Sequence, residues 1–153
     1  MARAAMRGVA AVEFALLLVP MVLLAFGAAE FGRALYQYNT LAKAARDAAR
    51  LLSQNSPSDV DYPLDQARCL TVYGNNDCTE PALVSGLTAD MVQVCDRVSC
   101  PGPSYANVAT GSGAINLVEV RITGYAFNAL VPFVTLGTTI PFGDIRVTMR
   151  QVL

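Results

Sequence analysis

Arg7-Gly8-Val9-Ala10-Ala11-Val12-Glu13-Phe14, followed by an apolar run that ends at Ala29, decides how the rest of the chain is read. Between Val9 and Ala29 the only charged residue is Glu13. As a helix, these roughly twenty-one residues span about 31 Å, enough to cross the hydrocarbon core of a bilayer. Glu13 is the anomaly. A carboxylate inside a membrane segment costs roughly 2.5–3.5 kcal/mol at the centre on insertion scales, and less near the edge. A plain anchor has no use for it. A secretory signal peptide could be cleaved at Ala25-Phe26-Gly27-Ala28-Ala29, but its apolar core is usually about 7–15 residues long and carries no acid. An uncleaved signal anchor fits the length and leaves Glu13 unexplained.

The octapeptide resembles the processing site of the type IV pilin superfamily. In that superfamily a membrane peptidase cuts after the glycine, and a glutamate stands fifth in the mature chain. The aromatic after the glutamate is similar to the glycine-x4-glutamate-tyrosine pattern of the tight-adherence (Tad, or Flp) branch, with Phe14 in the tyrosine's place. The short basic leader Met1–Gly8, with Arg3 and Arg7, resembles the same branch. The resemblance implies a cut between Gly8 and Val9 and an assembly role for Glu13 and Phe14. It also implies that Glu13 pairs with the freed Val9 amine, of its own chain or of a neighbour.

Beyond Glu30-Phe31-Gly32-Arg33, which marks the outer membrane boundary, apolar residues recur at helical spacing. Leu35, Tyr38, Leu41/Ala42, Ala45, Ala48/Ala49 and Leu52 form the stripe, while Arg33, Gln37, Lys43, Asp47 and Arg50 take the other faces. Alanine, the best helix former, is abundant here. The pattern predicts one helix from about Val9 to Leu52, roughly 65 Å long. Pro20 lies in its lipid half, where it lacks an amide hydrogen and crowds the Leu16 carbonyl, so a kink or local unwinding is expected. That is either an ordinary membrane-helix proline or a hinge for leaving the bilayer. Gly32-Arg33 and the Ala45–Arg50 cluster also resemble TadE-like minor pilins.

Ser53-Gln54-Asn55-Ser56-Pro57-Ser58 is a turn-rich break. A second helix is expected after it, capped by Asp61, with Pro63 in its first turn, Gly74 as its stop, and Leu64, Ala67, Leu70 and Tyr73 on its apolar face. Asp59, Asp61 and Asp65 lack the glycine and distal glutamate of a calcium loop, so they read as capping and solvated residues. Three strands follow from alternation: Val92 and Val94; Val118, Val120 and Ile122; and Ile145, Val147 and Met149. Their wet face is expected to carry Glu119 and Arg121 beside Arg146 and Arg150 as surface pairs worth at most ~1 kcal/mol. The Ala126–Phe142 stretch, rich in Phe, Leu, Val and Ile, is either core beneath the sheet or a subunit contact. The second and third strands and the turn between them resemble the carboxyl-terminal half of TadE-like proteins.

Cys69, Cys78, Cys95 and Cys100 all lie in the part expected outside the cytoplasm, where an even count favours two disulfides. Three connectivities are possible; the two local pairs, Cys69 with Cys78 and Cys95 with Cys100, close short loops around turn residues. A four-cysteine zinc site competes, but the Cys69–Cys78 spacing exceeds that of a zinc knuckle. The chain contains no histidine, which removes Ser-His-Asp and Cys-His catalysis, imidazole metal sites and the commonest general base. No phosphate loop or nucleophile–base constellation replaces it, and no cofactor is implied. Nor is there a basic stripe for nucleic acid: loss of Arg3 and Arg7 with the leader takes the formal charge from −1 to −3, before the new amino terminus is counted.

These readings converge on an α+β, pilin-like protein: a long N-terminal membrane-spanning helix packed against a small antiparallel sheet. The expected organisation is a leader at 1–8, a helix at 9–53 with 9–29 in the membrane and 30–53 against the head, and an extracytoplasmic head at 54–153. Arg3 and Arg7 place the N-terminus in the cytoplasm by the positive-inside rule, with the chain anchored once in the inner membrane and its head in the periplasm. The resemblance implies a minor pilin or pseudopilin that works in adherence or secretion at the cell surface. Its implied partners are a prepilin peptidase, other pilin subunits, the inner-membrane assembly platform and the lipid bilayer. The rival is a membrane-anchored periplasmic binding module that never polymerises.

Overall fold

The structure, a computed structural model, describes residues 3–131 and 139–151, with side chains from Gly8 onward. Helix α1 spans Arg3–Ser53 and runs unbroken through Pro20. It begins before the expected Val9 because Gly8, at a cost of about 1 kcal/mol relative to alanine, is the one poor helix former nearby. Its C-terminal carbonyls are satisfied locally. Ser53 Oγ donates to the Arg50 carbonyl at 2.8 Å and Asn55 Nδ2 to the Leu51 carbonyl at 2.8 Å. Arg50 in the last turn complements the helix dipole.

The chain forms two compact units, Met1–Leu35 with Asn128–Ile140, and Tyr36–Phe127 with Pro141–Leu153. In the second unit, Leu41, Ala45, Ala48, Ala49 and Leu52 of α1 are fully buried in one core. They share that core with Val92, Val118, Val120, Ile122 and Ile145 of the strands. The buried stripe starts later than the periodicity predicts, since Leu35 and Tyr38 are exposed. Tyr38 instead sets its ring edge-on to Phe142, with centroids 5.9 Å apart.

Helix α2 covers Leu64–Tyr73. Asp61 does not cap it: Pro63 occupies the cap position, no side chain caps the helix, and the exposed Asp61 lies in a turn closed by the Tyr62 amide on the Asp59 carbonyl. Asp61 stands two residues upstream of the cap position. Gly74 does stop the helix, with φ of 78° and its amide on the Leu70 carbonyl at 3.1 Å. A Cβ there would also lie 3.0 Å from Leu83 Cδ2.

Among the described residues six strands follow: β1 Val92–Cys95, β2 Val108–Thr110, β3 Gly113–Ile122, β4 Ala126–Asn128, β5 Thr139–Pro141 and β6 Ile145–Gln151. β3 is the centre. Its first residues pair with β2 through a two-residue Gly111-Ser112 turn, and its second half is flanked by antiparallel β1 and β6. β4 and β5 form a separate two-stranded sheet. Alternation places Val118, Val120 and Ile122 of β3, Val92 of β1 and Ile145 of β6 in the core.

The opposite face is not simply wet. Glu119 is buried, and its Oε1 accepts from Arg121 Nε at 2.9 Å and Nη2 at 2.6 Å, while Thr148 Oγ1 donates to Oε2 at 3.2 Å. This hydrogen-bonded contact with Glu119 raises the Arg121 pKa further. Arg146 pairs with Asp144 at 3.5 Å rather than with Glu119. The expected surface pair is therefore a half-shielded one within a single strand.

The Ala126–Phe142 stretch divides. Phe127 is fully buried and stacks parallel on Phe142, with centroids 6.2 Å apart, so both ends are core. Leu130 is exposed, and residues 132–138 lie outside the described residues.

A polar cluster fastens the sheet to the end of α1. Asp96 is fully buried, its Oδ1 accepting the Val98 and Ser99 amides at 2.9 and 2.7 Å. Gln151 Nε2 donates to the Asn55 carbonyl at 3.1 Å and to the Tyr62 hydroxyl at 3.4 Å. Burial, and then the Asp96 carboxylate, push the Tyr62 phenol well above its ordinary 10.0. A raised phenol keeps its stabilising share fully below about pH 10 and loses it above, where only the unfolded chain ionises.

Two outcomes follow for the full chain in micelles, read by urea unfolding. Ala48→Leu overfills the helix–sheet contact and lowers stability by about 1–3 kcal/mol. Tyr62→Phe loses less stability than the parent between about pH 9 and pH 11, since it has no phenol to ionise on unfolding.

Candidate functional site on the N-terminal helix

The first half of α1 is apolar all round. Val9, Val12, Phe14, Leu16, Leu17, Val19, Met21, Leu24 and Phe26 are all exposed, although they point to every side of the helix. Its best eighteen-residue window has a mean hydropathy of 2.5, and none of that window is buried among the described residues. A helix that is hydrophobic on every face belongs in a membrane or inside a larger assembly. It satisfies its own backbone amides and needs no water to do so. This segment therefore fits a single-pass membrane anchor.

Gly8, Val9, Glu13 and Phe14 stand on two consecutive turns, all exposed. A side chain added at Gly8 would meet nothing within 4 Å, so packing within this chain places no demand for glycine there. Val9 and Glu13 are four residues apart and share a face, so an amine at Val9 and the Glu13 carboxylate are within reach of each other. Pro20 lies about two turns further on.

The outer end of the apolar run holds an arrangement that the sequence pattern marks only as a boundary. Glu30 is just 6% exposed. Its Oε2 takes a hydrogen bond from Arg33 Nη2 at 2.9 Å, and its Oε1 takes the Leu130 amide at 3.2 Å. Arg33 Nη2 also donates to the Asn128 carbonyl at 2.6 Å. One ion pair thus clasps the backbone of residues 128–130 to α1. The signal available in sequence was an opposite-charge pair at i,i+3 closing an apolar run. Its distant partner was not readable, because hydrogen bonds to backbone carry no side-chain signature.

The cysteines lie in the other unit. Cys69 is bonded to Cys78 with Cα atoms 4.9 Å apart, and Cys95 to Cys100 with Cα atoms 5.1 Å apart. On the loop-entropy account each closure is worth about 2–3 kcal/mol. No thiolate is left for the competing zinc site. Asp65 pairs with Arg68, and among the described residues no metal-binding cluster of carboxylates, cysteines or histidines forms.

Residues 8–50 match a family model described as TadE-like protein. The N-terminal segment is TadE-like. No curated protein and no solved structure matches the chain. The TadE-like span takes in Gly8, Val9, Glu13, Phe14, Pro20, Glu30 and Arg33, and ends before the cysteines and the strands. It points to a protein associated with a Tad pilus.

The clasp yields a direct expectation. Glu30→Gln keeps the shape but replaces a charge-assisted hydrogen bond with a neutral one. Hydrogen exchange of the full chain in micelles should then show the Leu130 amide exchanging roughly tenfold faster, a loss of ~1.4 kcal/mol.

Proposed function

We propose that the protein is a minor pilin or pseudopilin of a Tad-type pilus or secretion filament. A prepilin peptidase cuts the Gly8–Val9 bond at the cytoplasmic face, and the processed subunit waits in the inner membrane with its head in the periplasm. It then leaves the bilayer for a filament by packing its apolar helix against other pilin subunits on the assembly platform. Pro20 serves as the hinge of that transfer, and Phe14 as part of the helix–helix contact. The observation that carries this reading is the TadE-like match over residues 8–50, with Glu13 the one carboxylate among the uncovered apolar residues that follow Gly8.

The physical logic lies in the charge. In the precursor, Val9 has no free amine and Glu13 bears its desolvation cost with no cation that the cut would supply. Cleavage creates an ammonium four residues away, at the positive end of the helix dipole. In an apolar environment such a pair holds well, and removing one partner strands the other charge at about 3–5 kcal/mol. Pairing across two subunits sets the axial register between them. Filament proteins of this kind need no active site, and the histidine-free sequence agrees with a structural role.

The test is a pair of variants expressed in the native host. Glu13→Ala is processed at the parental rate and is largely lost from sheared filaments. Gly8→Ala accumulates uncut in the membrane. Parental incorporation of Glu13→Ala would sink the pairing, and indifference to both changes would favour the non-polymerising anchored module.

A further inference from the structure

The clasp at Glu30 and Arg33 has a consequence for the bilayer. The apolar run ends at Ala29, and its roughly 31 Å length matches the hydrocarbon core, so Glu30 emerges where hydrocarbon gives way to headgroups. Helical side chains lean toward the N-terminus, so the Glu30 carboxylate and the Arg33 guanidinium sit back over the last apolar turn. The Leu130 amide and the Asn128 carbonyl are bound to these two groups, at 3.2 and 2.6 Å. The backbone of residues 128–130 is therefore pinned within about one turn of the end of the apolar run, inside the headgroup layer.

What is pinned there suits lipid. Leu130 is 74% exposed, and Phe31 on the adjoining helical turn is exposed as well. No Asp, Glu, Lys or Arg occurs between Arg121 and Asp144. The charged side chains at this level, Glu30 and Arg33, neutralise each other. A large apolar side chain held at that depth gains by leaving water, and a charge-free segment pays no penalty for approaching the bilayer.

We propose that residues 128–131 form a second membrane contact, with Leu130 seated at the boundary between headgroups and hydrocarbon on the periplasmic side. The inference rests on the membrane-anchor reading of α1. The contact fixes the depth and rotation of the helix base, so the subunit is held by a helix and a wedge rather than by a helix alone.

The chain has no tryptophan, so a single introduced one reports without background. Leu130→Trp, Leu18→Trp and the fully exposed Val60→Trp are made in the full chain and reconstituted in phosphatidylethanolamine–phosphatidylglycerol vesicles. Leu130→Trp is expected to lose emission to lipids spin-labelled near the headgroup and to resist aqueous iodide. Leu18→Trp should lose emission to lipids labelled deep in the chain, and Val60→Trp to iodide. If Leu130→Trp behaves like Val60→Trp while Leu18→Trp is quenched by lipid, the wedge is wrong and the anchor stands. Shielding of Leu130→Trp from both quenchers means that protein covers it, which also overturns the proposal. Failure of lipid to quench Leu18→Trp overturns the anchor reading itself, and the wedge with it.

Discussion

A helix whose every face between Val9 and Phe26 is hydrophobic and uncovered cannot stay in water, and much of the chain answers to that constraint. Exposing these side chains costs on the order of 25 cal/mol per Å² of apolar surface, so the segment fits a lipid bilayer or the company of other apolar helices. Its backbone accepts either setting, because the amides and carbonyls are satisfied within the helix. Both environments exclude water. The same segment therefore suits storage in a membrane and packing in a filament, without refolding between them.

The carboxylates of α1 show how differently this protein handles charge. Glu30 stands at the boundary, is covered, and is neutralised by Arg33 while it also holds the Leu130 backbone. Glu13 stands exposed among apolar side chains. Glu30 is a structural charge that organises its surroundings in the folded chain. Glu13 has no ion-pair partner among the described residues, and the proposed cut before Val9 would create one. In the second unit, Glu119 repeats the structural pattern, held by Arg121 and Thr148.

Periodicity made the helix and three strands of the head legible, since burying one face leaves a direct imprint on the order of residues. The alanine-rich stripe from Leu41 to Leu52 and the valines of β3 meet in the core as their spacing implies. Short elements escaped. The Val108–Thr110 and Gly113–Ile115 hairpin carries a Gly-Ser turn signal, but Ala109, Thr110, Gly113 and Ala114 beside the turn are all exposed and print no alternation. Asp61 misled because a capping residue type is common in plain turns, and Pro63 had already taken the position that matters. Alternation assigns Glu119 to the wet face, because it reports which side a residue faces and not how neighbours such as Arg121 and Thr148 cover it there. Of the candidate site, the Gly8–Phe14 motif is local and was readable. The clasp joins residues about a hundred positions apart, partly through backbone atoms, and no sequence pattern encodes such a tie.

The most direct test of this account is the intact mass and N-terminal sequence of the protein isolated from the membranes and filaments of its native host. The account predicts a chain that begins at Val9, with Gly8 and everything before it removed. A chain that still begins at Met1 would contradict it and leave an anchored module. A start near Ala28 or Glu30 would show the apolar run to be a removed secretory signal, with neither the anchor nor Glu13 in the mature protein.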